Sequence, residues 1–295
     1  MTTPNNIPFC AGPVLDTHAP KFEMPENACD THFHLFPAGN EHALTPRRSY
    51  TPPVADMDMY NTMSERLGLS RGVLIQPSVY AEDNTALVAA TAAAPDRLRG
   101  VVTVTSAVTD TEIEKFHAAG VRGIRVNIVD SGGMPFRDLE EAWDFTSRIA
   151  GLGWHIELLA HVEQIEDIDA ALSRSKVPVI FGHLGYTKTS IGVANPGYQR
   201  FLGVVKEGRC WVKLTGAYRI SDRDATPYDD VMPMAAALLA ANPDRLVWGS
   251  DWPHPRHPGV MPNDGALLDQ LADWGADADI RQKILVFNPE RFYGF

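Results

Sequence analysis

Cysteine is scarce: Cys10, Cys29 and Cys210 are an odd number, far apart, with no C-x-x-C pair. That excludes a disulfide framework and a thiolate zinc knuckle, and it suits a reducing, cytoplasmic setting. Long apolar runs are absent too, none reaching the ~18 residues of a spanning helix. The opening "MTTPNNIPFCAGP" lacks a charged stretch followed by an apolar one, so no secretory signal is read there. Basic residues are in the minority, 26 against 37 acidic ones, for a net charge of −11. Nucleic acid and anionic membrane are therefore poor partners. A small anion held in a locally basic pocket stays open. Finally, the segment after the first apolar run, "DTHFHLFPAG", is no Gly-rich phosphate turn, which argues against a dinucleotide-binding doubly wound sheet.

What is present is regular alternation. After a Pro-rich, irregular lead over residues 1–27, apolar and often β-branched runs recur: "ACDTHFHLF", "RGVLIQP", "LRGVVTVT", "VRGIRVNIV", "WHIELLA", "VPVIFGH", "CWVKLTG" and "RLVWGSD". Near-continuous apolar runs are what strands covered on both faces require. Helical patterns lie between them, such as "DLEEAWDFTSRIAGLG", with Asp138 placed to cap its first turn. "DADIRQKILVFNPERF" reads as a last helix. Eight strand–helix units predict a parallel α/β sheet closed into a (β/α)8 TIM barrel, a single domain over residues 28–295. The 295 residues, 44% hydrophobic, are enough for one such core.

Polar residues gather where these strands end. His32 and His34 are two apart on the first strand and so share a face. Ser78 follows the second strand, Arg125 and Asn127 end the fourth, and Glu157 and His161 lie in and after the fifth. His183 ends the sixth, Thr215 and Arg219 follow the seventh, and Asp251 ends the eighth. A closed barrel brings all of these ends to one mouth. A strand-end carboxylate at that mouth accepts a proton from an attacking water, and a dry surround would raise its pKa toward working pH. Asp251 is thus the expected general base. Guanidinium groups pair bidentately with carboxylates, which makes Arg125 and Arg219 the expected anion holders. Arg47 and Arg48, on the loop after the first strand, add positive field. His254 either lines the pocket or packs within its Pro-rich loop. His18 and His42 are set aside as lead and loop residues.

"DTHFH", "GH" and "WGSDWPH", in that order and at barrel spacing, resemble the amidohydrolase superfamily. "RGVLIQPS", "GIRVN", "FGHLG", "VKLTGAYRIS", "DRLVWGSDWPHP" and "NPERFYGF" resemble more narrowly the 2-pyrone-4,6-dicarboxylate hydrolase-like lactonases, from about Ala28 to the C-terminus. The resemblance implies a hydrolase that opens the ester ring of a small carboxylated lactone from aromatic or sugar-acid catabolism. It gives Asp251 the same role as base, and it makes Tyr50 and Ser78 substrate contacts beside Asn127 and His254. His32, His34 and His183 then support the carbonyl oxygen.

Metal content is the open point. Two-metal members commonly bridge their ions through a strand-four lysine or glutamate, where this chain has Arg125, so a binuclear centre is not expected. A single divalent ion such as zinc or manganese on His32, His34 and Asp251, completed by His183 or His161, is the alternative. The resembled lactonases include members that work without metal, and no essential metal is the expectation. The rival readings are a metal-dependent decarboxylase and a lactone isomerase of the same superfamily. The expected partner is a small anionic lactone, with homo-oligomer formation left open.

Overall fold

Eight short strands run parallel and pair in chain order. The computed structural model describes residues 7–40, 43–130, 133–257 and 259–295, so His42 and the first six residues of the lead lie outside it. The strands are β1 (Cys29–Phe33), β2 (Arg71–Ile75), β3 (Leu98–Val102), β4 (Val121–Asn127), β5 (His155–Leu159), β6 (Val179–Phe181), β7 (Trp211–Leu214) and β8 (Leu246–Trp248). β1, β3, β5 and β7 are buried along their whole length, so the polar residues inside them, among them Asp30, Glu157 and Lys213, are buried with the apolar ones.

Helices pack between successive strands: α1 (Met57–Leu67), α2 (Thr85–Ala93), α3 (Asp110–Ala118), α4 (Leu139–Ile149), α5 (Ile168–Arg174) and α6 (Pro196–Lys206). The short α7 (Ala217–Ile220) and the longer α8 (Met232–Ala241) follow β7, and α9 (Asp264–Asp273) follows β8. Side-chain caps start several of them. Asp56 accepts the Met59 amide at α1, and Asp138 accepts that of Glu141 at α4. The C-terminal helical stretch is divided into α10 (Ala278–Gln282), a wide π-turn over 283–287 and α11 (Asn288–Tyr293). Pro289 explains the departure from one regular helix, since it has no N–H for the Leu285 carbonyl. Among the described residues, no helix is long and apolar enough to cross a membrane.

The barrel closes just beyond the ends of β1 and β8. The Asp251 amide donates to the His32 carbonyl at 2.8 Å, and the His34 amide donates to the Trp252 carbonyl at 2.8 Å. The seam of the barrel is thus stitched through the residues expected to do the chemistry. At the opposite end, α11 packs Phe292 and Tyr293 against His155, with ring centroids 4.7 and 5.2 Å away. The C-terminus therefore covers the barrel floor, leaving the C-terminal rim of the strands as the open end. Residues 7–27 contain a single isolated bridge, Phe9 to Thr51, and no helix or strand.

Candidate active site

His32, His183 and Asp251 converge at that rim, each no more than 1% exposed. Their ligand-capable atoms lie within 4.8 Å of one another. His32 Nε2 is 3.4 Å from Asp251 Oδ1, and His34 Nε2 is 3.5 Å from the same oxygen. The backbone is unusual here: His183, Leu184, Tyr186, Asp251, His254 and Arg256 all have φ between 50° and 63°. Side chains other than glycine rarely adopt that region, and such strain gathers at functional sites.

The imidazoles are oriented through their Nδ1 atoms. His34 Nδ1 meets the Ile75 carbonyl at 2.8 Å, and His183 Nδ1 meets that of Thr215 at 3.3 Å. A carbonyl only accepts, so each Nδ1 carries the proton and each Nε2 presents a lone pair. His32 Nδ1 lies 3.3 Å from Glu157 Oε1 and 3.4 Å from Lys213 Nζ. Glu157 and Lys213, from β5 and β7, form a buried ion pair at 2.6 Å. Lys213 also donates to the Thr31 carbonyl, tying the pair to β1. Burial pushes His32 down to about 3 and His183 well below its usual range, which keeps both rings neutral at pH 7.

Asp251 departs from expectation. Burial alone would raise its carboxyl, but Arg219 first, then His183, His34 and His32, hold it well below 3.8. Arg219 Nε donates to Oδ2 at 2.7 Å, and Tyr218 Oη donates to the same oxygen at 2.5 Å. Both donors come from α7, an element absent from the sequence reading. Oδ2 is therefore saturated, while Oδ1 is buried with no hydrogen-bond partner. Arg219 is engaged with this carboxylate and with the Pro255 carbonyl. It is only partly available as the free anion holder that the sequence suggested.

A cavity of about 20 Å³ adjoins this group, its wall including His34, His183, Arg125, Arg219, Tyr50 and Ser78. Arg125 spends one N–H on the Gln76 carbonyl at 2.8 Å. Three expected site residues go elsewhere. Asn127 is the last residue of β4, and its carboxamide turns back to cap its own loop. It accepts the amides of Val129 and Asp130 and donates to the Asp130 carboxylate. His254 pairs with Asp264 at 3.0 Å, both side chains fully buried, and is not part of the cavity wall, which is the packing alternative of its two readings. His161 hydrogen-bonds the Tyr186 carbonyl and stays outside the convergent group. Asp130 and Arg256, not anticipated from sequence, form an ion pair in the cavity wall.

A single divalent ion fits the donor set. His32 Nε2 and Asp251 Oδ1 are both buried without a hydrogen-bond partner, and imidazole with carboxylate suits zinc or manganese. His34 contacts Asp251 but falls outside the mutually close set of His32, His183 and Asp251. This is the one such set among the described residues.

The family model for amidohydrolases matches residues 29–295. The chain belongs to the amidohydrolase family. It is 36% identical to a 4-sulfomuconolactone hydrolase of Rhizobium radiobacter, covering 98% of this chain and 97% of that one. It is 33% identical to a 2-pyrone-4,6-dicarboxylate hydrolase of Comamonas testosteroni, covering 99% and 96%. A D-galactarolactone isomerase of Agrobacterium fabrum is 27% identical over 95% of each chain. These relatives carry the lactonase resemblance that the motifs first suggested.

Proposed function

We propose that this amidohydrolase opens the ester ring of a small carboxylated lactone by adding water. The carrying observation is the asymmetry of Asp251: Oδ2 is fully bonded, while Oδ1 is free and faces the Nε2 atoms of His32 and His34. Neutral imidazoles with unprotonated Nε2 accept hydrogen bonds, so one of His34 and His183 accepts from the water's second O–H while the first points to Asp251 Oδ1, and neither ring donates to the carbonyl. This reassigns their expected role. Arg125, with N–H groups left over, is the donor that supports the developing oxyanion. Oδ1 takes the water's proton as the oxygen attacks, and returns it to the ring oxygen when the C–O bond breaks. Held below the usual carboxylate range, Asp251 is always ionised but only weakly basic, so polarisation of the carbonyl carries more of the barrier. An ion held by His32, His183 and Asp251 would polarise the carbonyl and acidify the water.

Identity to two lactone hydrolases over nearly the full chain supports this reading above decarboxylation. The three unpaired cysteines support a reducing, cytoplasmic setting. The test is a pH-indicator assay on 2-pyrone-4,6-dicarboxylate and 4-sulfomuconolactone, with elemental analysis of the same preparation. One acid equivalent released per ring opened is the expected result. Carbon dioxide release from an arene carboxylate, with no lactone consumed, would replace the lactonase by the decarboxylase.

A further inference from the structure

Lys213 is fully buried and has, among the described residues, three acceptors for the three N–H groups of its ammonium. They are Glu157 Oε2 at 2.6 Å, the Thr31 carbonyl at 2.7 Å and His32 Nδ1 at 3.4 Å. Glu157 Oε1 lies 3.3 Å from the same Nδ1 and competes for it as an acceptor. A neutral imidazole has one proton, so Nδ1 serves either the ammonium or the carboxylate. Two contacts decide between them. With the proton on Nδ1, the third Lys213 N–H is buried without an acceptor, a costly state for a charged donor. The bare Nε2 then also sets its lone pair against Asp251 Oδ1 at 3.4 Å. With the proton on Nε2, Lys213 is satisfied and the ring N–H faces a carboxylate oxygen. Glu157 keeps its own bond to the ammonium in either case.

We propose that Lys213, braced by Glu157 and the Thr31 carbonyl, is a positioning residue that fixes the proton of His32 on Nε2. His32 is then the reverse of His34 and His183, which carry theirs on Nδ1. The ring is neutral in either form, so a proton is placed and none is gained or lost. Asp251 Oδ1 faces one N–H, from His32, and one bare nitrogen, from His34. At 3.4 Å the His32 contact is longer than an ordinary hydrogen bond, which leaves Oδ1 free for water. A ring already protonated on Nε2 cannot take the proton that Oδ1 receives. The relay from Asp251 through His32 to Glu157 is closed, and the proton stays at the rim for the ring oxygen. That consequence rests on the lactonase reading; the position of the His32 proton does not. A divalent ion needs a bare Nε2, so binding it sends the proton to Nδ1, towards Glu157 and against Lys213. Lys213 thereby opposes loading of a donor set that otherwise suits the ion.

The test places ¹⁵N in the histidine rings of the full chain and reads long-range ¹H–¹⁵N correlations after treatment with a chelator. The His32 signals, identified by their loss in His32→Gln, are expected to show a bare Nδ1 and a protonated Nε2. A proton on Nδ1 in the wild type overturns the proposal, whether or not any variant folds or any lactone is turned over. In Lys213→Met the ammonium is gone, and Nδ1 is expected to gain a proton directed at Glu157. An unchanged pattern in that variant removes Lys213 from the role. Zinc titrated by calorimetry into the same preparations gives a second readout. Lys213→Met is expected to bind it about tenfold more tightly than wild type, the scale on which a second partner tunes a metal ligand. Equal or weaker binding overturns the opposition between Lys213 and the ion.

Discussion

Tyr218 Oη sits 2.5 Å from Asp251 Oδ2, and its neighbour Arg219 reaches the same oxygen at 2.7 Å. Burial first, then the adjacent carboxylate, raises the Tyr218 phenol well above 10, so it remains a donor at neutral pH. The four-residue α7 therefore decides which oxygen of Asp251 is left to react. Tyr218→Phe removes one charge-assisted bond without altering the ring. We expect kcat to fall about tenfold with KM little changed, in line with ~1.5–3 kcal/mol for a bond to a charged group. Steady-state kinetics on a folded variant check this, and an unaltered kcat would reduce Tyr218 to packing.

Arg219 sets the acidity of the same carboxylate. With its guanidinium in place the Asp251 carboxyl stays well below 3.8, so it is ionised throughout the ordinary pH range. Arg219→Met removes the cation that most favours the ionised form, and the carboxyl pKa must rise. The acid limb of the kcat/KM profile should move upward by about one pH unit or more. A pH–rate profile of both proteins measures it, and coincident limbs would contradict the ion pair.

Asp230 ties the loop after β6 to the loop after β7. It accepts from Ser221 Oγ at 2.6 Å, Thr189 Oγ1 at 2.8 Å and the Asp222 amide at 2.7 Å. Burial raises its carboxyl, but these three donors together hold it below 3.8. A depressed folded pKa contributes stability that is complete above the unfolded value and is lost as pH falls through the folded one. Asp230→Asn should therefore be less stable than wild type at pH 7 by about 1–3 kcal/mol. The gap should narrow as pH drops below 3.8. Denaturant melts across that range test it, and a pH-independent gap would refute the linkage.

Much of this architecture was legible in the chain. The eight apolar runs became the eight strands, because a strand buried on both faces leaves little sequence freedom. His32, His183 and Asp251 were visible as polar residues at strand ends, and the closed barrel carried them to one point. Pairing between strands was harder to see. "CWVKLTG" and "WHIELLA" each place one charge in an apolar run, and each of Lys213 and Glu157 signals that a partner must exist. Only the register of the barrel shows that they are partners, with His32 beside both. Asn127 failed for a local reason: it ends β4, and its carboxamide is drawn to the amides of the loop that follows. His254 took the second of its two readings, packing within its loop beside Asp264. α7 went unread because four residues carry no periodicity, and Tyr218 was hidden with it.

The account stands on Asp251 Oδ1 delivering water to an ester carbon, and an isotope experiment addresses that step directly. The lactone that proves to be a substrate is turned over in ¹⁸O-labelled water by wild type and by Asp251→Asn, with the product read by mass spectrometry. The account predicts one ¹⁸O in the new carboxylate of each wild-type product, and turnover reduced by orders of magnitude in a folded Asp251→Asn. A product without label, as a ring-shifting isomerase would give, or an Asp251→Asn variant within about tenfold of wild type, would contradict it.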